Sequence, residues 1–216
     1  MPKTFTDDIA PALPSSLNGP LQIVDPTDAT GWIKVDPAGG VIAAAGAARP
    51  SRNIESSFVR AYLSASASVI GSVLPARSVS DDLLGGFYSS PIRIPDGMDV
   101  TQPSYVNMLV RPLQNATING QTIRFQLSYS RVTPGGTNTD AVITLDWAVP
   151  DNWTVTDTAV VLMDNGSGRT FDANTLNAGD FIGLRCMRFG SATEDTFNKS
   201  VLIGETLVFT YLAKEF

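Results

Sequence analysis

The amino-acid sequence predicts an all-β fold, a β-sandwich preceded by an extended N-terminal arm. Three observations carry this prediction. From about residue 87 onward, apolar and polar residues alternate with a period of two, as they do in half-buried strands. Turn-forming dipeptides separate the alternating runs, and no long helical pattern interrupts them. Residues 1–50 carry prolines so closely spaced that neither a long helix nor a central strand fits between them.

Residues 1–50 are predicted to form an anchoring arm. Proline removes a backbone donor and pushes its predecessor into extended geometry, so only short strands such as Leu21–Val24 and Trp32–Val35 are expected there. Large apolar residues recur between the prolines, which is uncommon in a disordered tail and is what a segment lying along another protein needs. The candidate anchoring residues are Phe5, Ile9, Leu13, Leu17, Leu21, Ile23, Trp32 and Ile33.

Residues 51–86 are predicted to be a connecting region of strand and loop. The run from Ser57 to Ser64 fits either a strand or a short helix, and small residues follow it. The pair Gly85-Gly86 then marks a break before the regular alternation begins.

Residues 87–216 are predicted to form a jelly-roll β-sandwich. In the run Ile123–Tyr129, apolar residues alternate with polar ones, and Ile143–Trp147 and Ile182–Met187 repeat the pattern. The run Val201–Leu212 is rich in β-branched and aromatic residues and carries apolar residues on both faces, so a neighbouring subunit is expected to cover one of them. The connections between several runs are long, which favours links that cross between sheets over simple hairpins. Shorter candidate strands are Ser90–Ile94, Val106–Arg111 and Ala159–Met163.

The composition excludes most catalytic chemistry. The 216 residues include no histidine and one cysteine, so a Ser-His-Asp triad, a Cys-His pair and a histidine-ligated metal site are ruled out. Cys186 lies in an apolar strand-like run and is predicted to be a small buried hydrophobe, with Arg185 on the opposite face of the strand. Neither a disulfide, a metal site nor a cofactor is expected.

The acidic residues are predicted to be turn formers. Asp164, Asp172 and Asp180 fall in turn-like segments, where aspartate hydrogen-bonds its own backbone. Two alternatives remain open: calcium held by Asp164 with Asn165, or by Asp172 with Asp180, and a glycosidase that needs only two facing carboxyls. The other acids that belong to this set of candidates are Asp146, Asp151, Asp157, Glu194 and Asp195.

One tryptophan is a candidate for sugar binding. Trp153 follows Pro150-Asp151-Asn152 in a predicted loop, so its ring is expected to be exposed. An exposed indole can stack on a glycan, and packing against a neighbouring subunit is the alternative. Trp147 continues an inward alternation and is expected in the core.

The charge balance and chain start bear on partners and location. The net charge of −6 and the scattering of basic residues argue against a nucleic-acid partner. No apolar stretch reaches the roughly 20 residues of a membrane helix. Asp7 and Asp8 stand where a secretion signal has its apolar core, so synthesis in the cytoplasm is expected.

Four segments together resemble a family of phage virion proteins. They are Ser89–Asp99, Gln121–Arg131, Ala178–Arg188 and Val201–Lys214. Their pattern of strands and turns is similar to that of capsid decoration (cement) proteins, and of some head or tail fibre proteins, that carry a trimeric, tumour-necrosis-factor-like jelly roll. The resemblance covers residues 87–216. It implies a homotrimeric knob on the capsid surface and an N-terminal extension that contacts the major capsid protein.

Three functional hypotheses follow. The leading one is a non-enzymatic virion protein that decorates the bacteriophage capsid and stabilises the shell through its N-terminal arm. The second is a carbohydrate- or receptor-binding module of a phage fibre or appendage, with a cell-surface glycan as partner and Trp153 as its first contact. The third is a histidine-free glycosidase with two acids facing each other across a cleft.

Overall fold

A computed structural model describes residues 21–24, 32–36, 41–45, 51–171 and 175–213. Every regular element in these ranges is a β-strand, and none of them contains a helix long and apolar enough to cross a membrane. The chain divides into two compact units, one of residues 1–52 and 212–216 and one of residues 53–211.

The first unit contains a three-stranded antiparallel sheet in the order β1-β2-β3. Its strands are β1 (Leu21–Val24), β2 (Trp32–Asp36) and β3 (Val41–Ala45). The two strands predicted between the prolines are therefore confirmed. The third was not predicted, because its Ala-rich sequence has little β propensity of its own and is held by pairing with β2. The remainder of the predicted arm lies outside the described residues.

The second unit is a jelly-roll β-sandwich, as the sequence predicts. One layer has the order β11-β10-β13-β7-β4, with the short β8 also paired to β13, and we call it the groove sheet. The other has the order β5-β6-β14-β9-β12, and the neighbours β4 and β14 join the two layers into one eleven-stranded sheet. Consecutive strands mostly lie apart, so connections cross between layers, as in a jelly roll. The strands are β4 (Ser51–Leu63), β5 (Ser66–Ile70), β6 (Leu74–Val79), β7 (Leu84–Ser89), β8 (Ile92–Arg93), β9 (Tyr105–Pro112), β10 (Thr122–Val132), β11 (Asn138–Ala148), β12 (Ala159–Met163), β13 (Phe181–Phe189) and β14 (Val201–Leu212).

The alternation along β10 shows how sequence builds this fold. Ile123, Phe125 and Leu127 are fully buried, whereas Arg124 and Gln126 between them face outward. Because successive side chains point to opposite faces, one strand supplies the core and the outer surface together.

Aromatic contacts tie the two layers together. The ring of Phe171 lies 4.8 Å from that of Tyr129 on β10 and 5.9 Å from that of Phe209 on β14, both edge-on. Edge-to-face pairs of this kind contribute about 0.5–1.5 kcal/mol each beyond the apolar area they bury.

Residues 51–86 form more than a connection. They supply β4, β5, β6 and part of β7, and Ala76 and Val79 are fully buried. The alternation is hard to recognise in this region because small polar residues occupy inward positions. Ser56 is buried, and its hydroxyl donates to the hydroxyl of Ser89 on β7 at 2.7 Å. A pattern based on large apolar residues misses such a strand.

The second apolar face of β14 is partly covered within the chain. Leu202 is buried in a small cluster with Ile70 and Ala76, against which Leu74 and Leu109 pack. At this position the covering that the sequence assigned to a neighbouring subunit comes from β5, β6 and β9.

Cys186 is confirmed as a buried residue. Its Sγ donates to Sδ of Met108 at 3.2 Å, which joins β13 to β9 across the sandwich. Burial raises the pKa of the Cys186 thiol to about 12, so the nucleophilic thiolate is scarce near neutral pH.

Cys186 should therefore resist modification in the folded protein. At about pH 8, where an exposed thiol is partly ionised, we expect an aromatic disulfide reagent to leave Cys186 unmodified until urea unfolds the chain. The released thiolate absorbance measures this, with the urea-unfolded protein as positive control. Rapid labelling without urea would contradict the burial of Cys186.

Alanine substitutions of two glycines on neighbouring strands should have different effects on the stability of the fold. A Cβ at Gly86 would overlap the carbonyl oxygen of Cys186 and lie 2.5 Å from Cα of Met187, whereas a Cβ at Gly183 would meet nothing within 4 Å. We expect Gly86→Ala to destabilise the fold by ~1–3 kcal/mol or more. Gly183→Ala should be neutral or stabilising by ~0.4–1 kcal/mol, since it reduces the entropy of the unfolded chain. Urea unfolding measures both, and equal effects would contradict the β7–β13 packing.

Candidate functional site

The predicted anchoring residues fall in two groups. Phe5, Ile9, Leu13 and Leu17 lie outside the described residues. The others lie on two paired strands of the small sheet, where the Cα of Ile23 is opposite that of Ile33, and Val24 is opposite Trp32. Leu21 begins β1 and is opposite Val35.

Trp153 is not exposed, so the expectation that its ring is free to stack on a glycan is wrong. It is 3% exposed, and its ring lies 5.3 Å from that of Trp147 and 5.8 Å from that of Phe197. The cause is a turn in which the amide of Trp153 donates to the carbonyl of Pro150 at 3.3 Å and Asn152 has a φ of 56°. This turn brings the loop residue into the core, while Trp147, expected in the core, is half-buried beside it.

Some acids are turn formers, as predicted. Oδ1 of Asp164 accepts from the amides of Gly166, Gly168 and Arg169 at 2.9, 3.0 and 3.1 Å. Asp157 accepts from the amide and hydroxyl of Thr154, and these bonds lower the pKa of the Asp157 carboxyl. Asp172 lies outside the described residues, within which no group of three potential metal-binding acids or thiols occurs.

Two other acids share one arginine. Arg124 lies 2.6 Å from Asp146 and 2.8 Å from Glu194. The hydrogen bond from Arg124 lowers the pKa of Asp146, and the pKa of Glu194 is also lowered, first by its own backbone amide and then by its neighbours Thr193 and Arg124. A general acid in a glycosidase needs a raised pKa. Because the pKa values of Asp146 and Glu194 are lowered, neither carboxyl suits that role.

Arg188 is a fully buried charge at an inward position of β13. Its guanidinium makes two bonds to Asp195, at 2.8 and 2.6 Å, and also donates to the carbonyl oxygens of Phe197 and Lys199. Asp195 is itself buried and accepts from the backbone amide of Arg124 at 3.2 Å. The pair therefore fastens the loop 190–200 to strands β10 and β13.

The outer surface of the groove sheet carries a different set of residues. Across five strands, Arg60, Tyr88, Arg185, Ser128 and Val142 lie opposite one another in a single row. Because they are in register, their side chains share one face, the face opposite to Cys186 and the core.

The two arginines of this row form a stack with Tyr88 and with Tyr62, which lies two residues beyond Arg60 on β4. The guanidinium of Arg60 lies 4.4 Å from the ring centre of Tyr88, and the ring of Tyr88 meets that of Tyr62 edge-on at 5.5 Å. The guanidinium of Arg185 lies 4.7 Å from the ring centre of Tyr62, and its Nη2 donates to Oγ of Ser128 at 2.8 Å. Cation–π contacts of this kind contribute about 0.5–1 kcal/mol where exposed. The stack fixes the orientation of Arg185 before any ligand arrives.

Beside the stack lies a groove with a volume of about 400 Å³. Gly183 forms part of its floor and contributes no side chain, while Tyr88 and Arg185 line one side and Asp140 and Val142 the other. Ser128 and Ser130 from β10 lie between them. The size falls within the usual range of small-ligand sites, roughly 300–1,000 Å³. We call this hollow the Gly183 groove.

Only part of this site could be predicted from the sequence. The alternation placed Arg185 opposite Cys186, which the structure confirms. It could not place Tyr88, Asp140 and Arg185 together, because that depends on which strands are neighbours.

Comparisons with known proteins add little to this description. No protein-family profile and no curated protein matches the sequence. Solved structures that it matches include the carbohydrate-binding module TmCBM61 in complex with β-1,4-galactotriose, with a TM-score of 0.34 and 8% identity over 74% of this chain and 87% of that one. They also include a structure of infectious bursal disease virus, Gt strain, with a TM-score of 0.34 and 13% identity over 93% of this chain and 42% of that chain. At these scores neither likeness says what this chain binds. The fold and groove define its class only as a jelly-roll β-sandwich.

Removal of the charge on Asp195 should destabilise the protein strongly. Asp195→Asn leaves Arg188 buried and uncompensated, so we expect a loss of ~3–5 kcal/mol in the free energy of unfolding. The matched control is Asp146→Asn, which removes an exposed carboxylate from Arg124 while Glu194 still pairs with that arginine, and it should cost far less. Urea unfolding followed by tryptophan fluorescence measures both, and similar losses would show that Arg188 is not held by Asp195.

Proposed function

We propose that this chain is a structural, non-enzymatic virion protein: a bacteriophage capsid decoration protein whose jelly roll forms a surface knob. Residues 1–50 attach it to the major capsid protein, and the attached protein stabilises the shell. It is made in the host cytoplasm and acts on the outer capsid surface, where it forms a homotrimer.

The division of the chain into two units is the observation that best supports this proposal. The sandwich builds its core from residues 53–211, and residues 1–52 belong to the other unit. The strands of the sandwich thus find their pairing partners within the second unit, and the proposal assigns the apolar residues of the N-terminal segment to a second protein.

The physical logic of attachment is mechanical. An extended segment reaches about 3.3 Å per residue, so a short arm can bridge neighbouring capsid subunits. Prolines reduce the entropy that the arm loses when it becomes ordered. In a trimer the second and third arms bind at high effective concentration once the first is attached.

The chemistry of the sandwich is compatible with a non-catalytic role. Asp146 and Glu194 are held in their charged forms beside Arg124, and Asp195 is committed to Arg188. The thiol of Cys186 is buried. These side chains serve the fold.

Capsid binding should depend on the apolar residues of the arm. Shells stripped of this protein are mixed with the full chain or with the quadruple variant Phe5→Ser, Ile9→Ser, Leu13→Ser and Leu17→Ser, and bound protein is measured by co-sedimentation. We expect the variant to lose binding, since its apolar contacts are gone. The full chain should raise the temperature at which the shells open.

The matched control changes polar residues of the same segment: Asp7→Ala, Ser15→Ala, Ser16→Ala and Asn18→Ala. It should bind like the unaltered chain. Undiminished binding of the apolar-to-serine variant, or no association of the full chain with shells, would contradict the proposal. Light scattering of the same preparations should give the mass of a trimer, and a monomer at micromolar concentration would contradict that part.

A further inference from the structure

We infer that the Gly183 groove is a binding site for an acidic carbohydrate, a short saccharide that carries a carboxylate. The inference goes beyond attachment to a capsid, because the groove lies on the sandwich and uses none of residues 1–50.

An arginine without a carboxylate partner, Arg185, lines one end of the groove, and a second, Arg60, lies one strand beyond Tyr88, so this end favours an anionic group. Arg77, Arg124 and Arg188 each have a guanidinium nitrogen 2.6–2.7 Å from a carboxylate oxygen. Within the described ranges, Arg60 and Arg185 have no such partner and lie against tyrosine rings instead.

The guanidinium of Arg185 keeps unused donors. Its Nη2 donates to Ser128, while its Nε is buried and has no hydrogen-bond partner within the described protein. A guanidinium carries five N–H donors, of which the bond to Ser128 uses one, so donors on its terminal nitrogens remain for a ligand carboxylate.

The rest of the groove favours a saccharide over other anions. Ser128 and Ser130 can exchange hydrogen bonds with hydroxyl groups, and the carboxylate of Asp140 accepts from them. Tyr88 and Val142 offer apolar surface for the C–H faces of a sugar ring. Asp140 also repels polyphosphates, whose charges would lie along the whole groove.

The geometry also argues against an extended peptide. The floor belongs to β10 and β13, and each of these strands is paired on both sides, so no free backbone edge is available there for strand addition. The groove crosses four strands from Tyr88 to Val142, about 14 Å at the ~4.8 Å spacing of neighbouring strands. That length fits a short oligosaccharide.

Gly183 makes the hollow and provides its most selective probe. A Cβ there meets nothing within 4 Å, so a larger side chain can enter the groove without shifting the backbone. Gly183→Val should fill the site and leave the fold intact.

The test is calorimetric titration of the full chain with saccharides that differ in their carboxylate. Trigalacturonate is compared with α-1,4-galactotriose, and sialyllactose with lactose, which separates a uronic acid from a sialic acid as the source of the charge. We expect at least one acidic saccharide to bind, with an affinity that falls as salt rises, and its neutral counterpart to bind at least about tenfold more weakly.

Variants locate the binding. Gly183→Val and Arg185→Met should each lower the affinity for the acidic saccharide by about tenfold or more. The valine side chain occupies the groove, and the loss of Arg185 removes a charged donor. Gly97→Val, in a loop where an added Cβ also meets nothing, and Arg93→Met, at an exposed arginine outside the groove, are the matched controls and should bind normally. Far- and near-ultraviolet circular dichroism checks that each variant is folded.

Three outcomes would overturn the inference. They are no binding of either acidic saccharide at millimolar concentration, equally tight binding of the neutral counterparts, and undiminished binding by Gly183→Val. Each is independent of the capsid-binding experiment, since none involves residues 1–50.

Discussion

The neutralisation of Arg188 in the core is the interaction on which one half of the sandwich depends. A buried guanidinium costs several kcal/mol in lost hydration, and Asp195 together with the carbonyls of Phe197 and Lys199 offsets that cost. All three partners belong to the loop that follows β13, so the charge can be buried only when that loop is in place. Phe197 then packs on Trp153, and Trp153 on Trp147, which closes this end of the core.

The same interaction determines which face of β13 is functional. Arg188 points inward, and since side chains alternate along a strand, Arg185 and Gly183 must point outward. A slip of one residue would bring Arg185 into the core and leave Arg188 in solvent, away from Asp195. The stability of the core and the composition of the Gly183 groove are therefore set by the register of β13.

The charged side chains of the sandwich fall into two groups. Asp146, Glu194 and Asp195 are paired with arginines, whereas Arg60 and Arg185 on the outer face lie against tyrosine rings.

How much the sequence predicts depends on the range of the interaction. The alternation in Ile123–Tyr129 and Ile182–Met187 reports local burial, so β10, β13 and the inward position of Cys186 could be predicted. The strands of residues 51–86 could not, because their burial depends on small residues and on bonds such as Ser56 to Ser89. Trp153 was misplaced because a turn decides its direction. The groove joins β7, β13, β10 and β11, and no local pattern encodes which strands are neighbours.

The central claim is that attachment and ligand binding use different parts of the chain. A cryo-electron microscopy map of the assembled virion tests it most directly. We predict density for residues 1–50 along the surface of the capsid protein, with the Gly183 groove open to solvent. A map in which the groove sheet lies against the shell, or in which residues 1–50 make no contact with it, would contradict the claim.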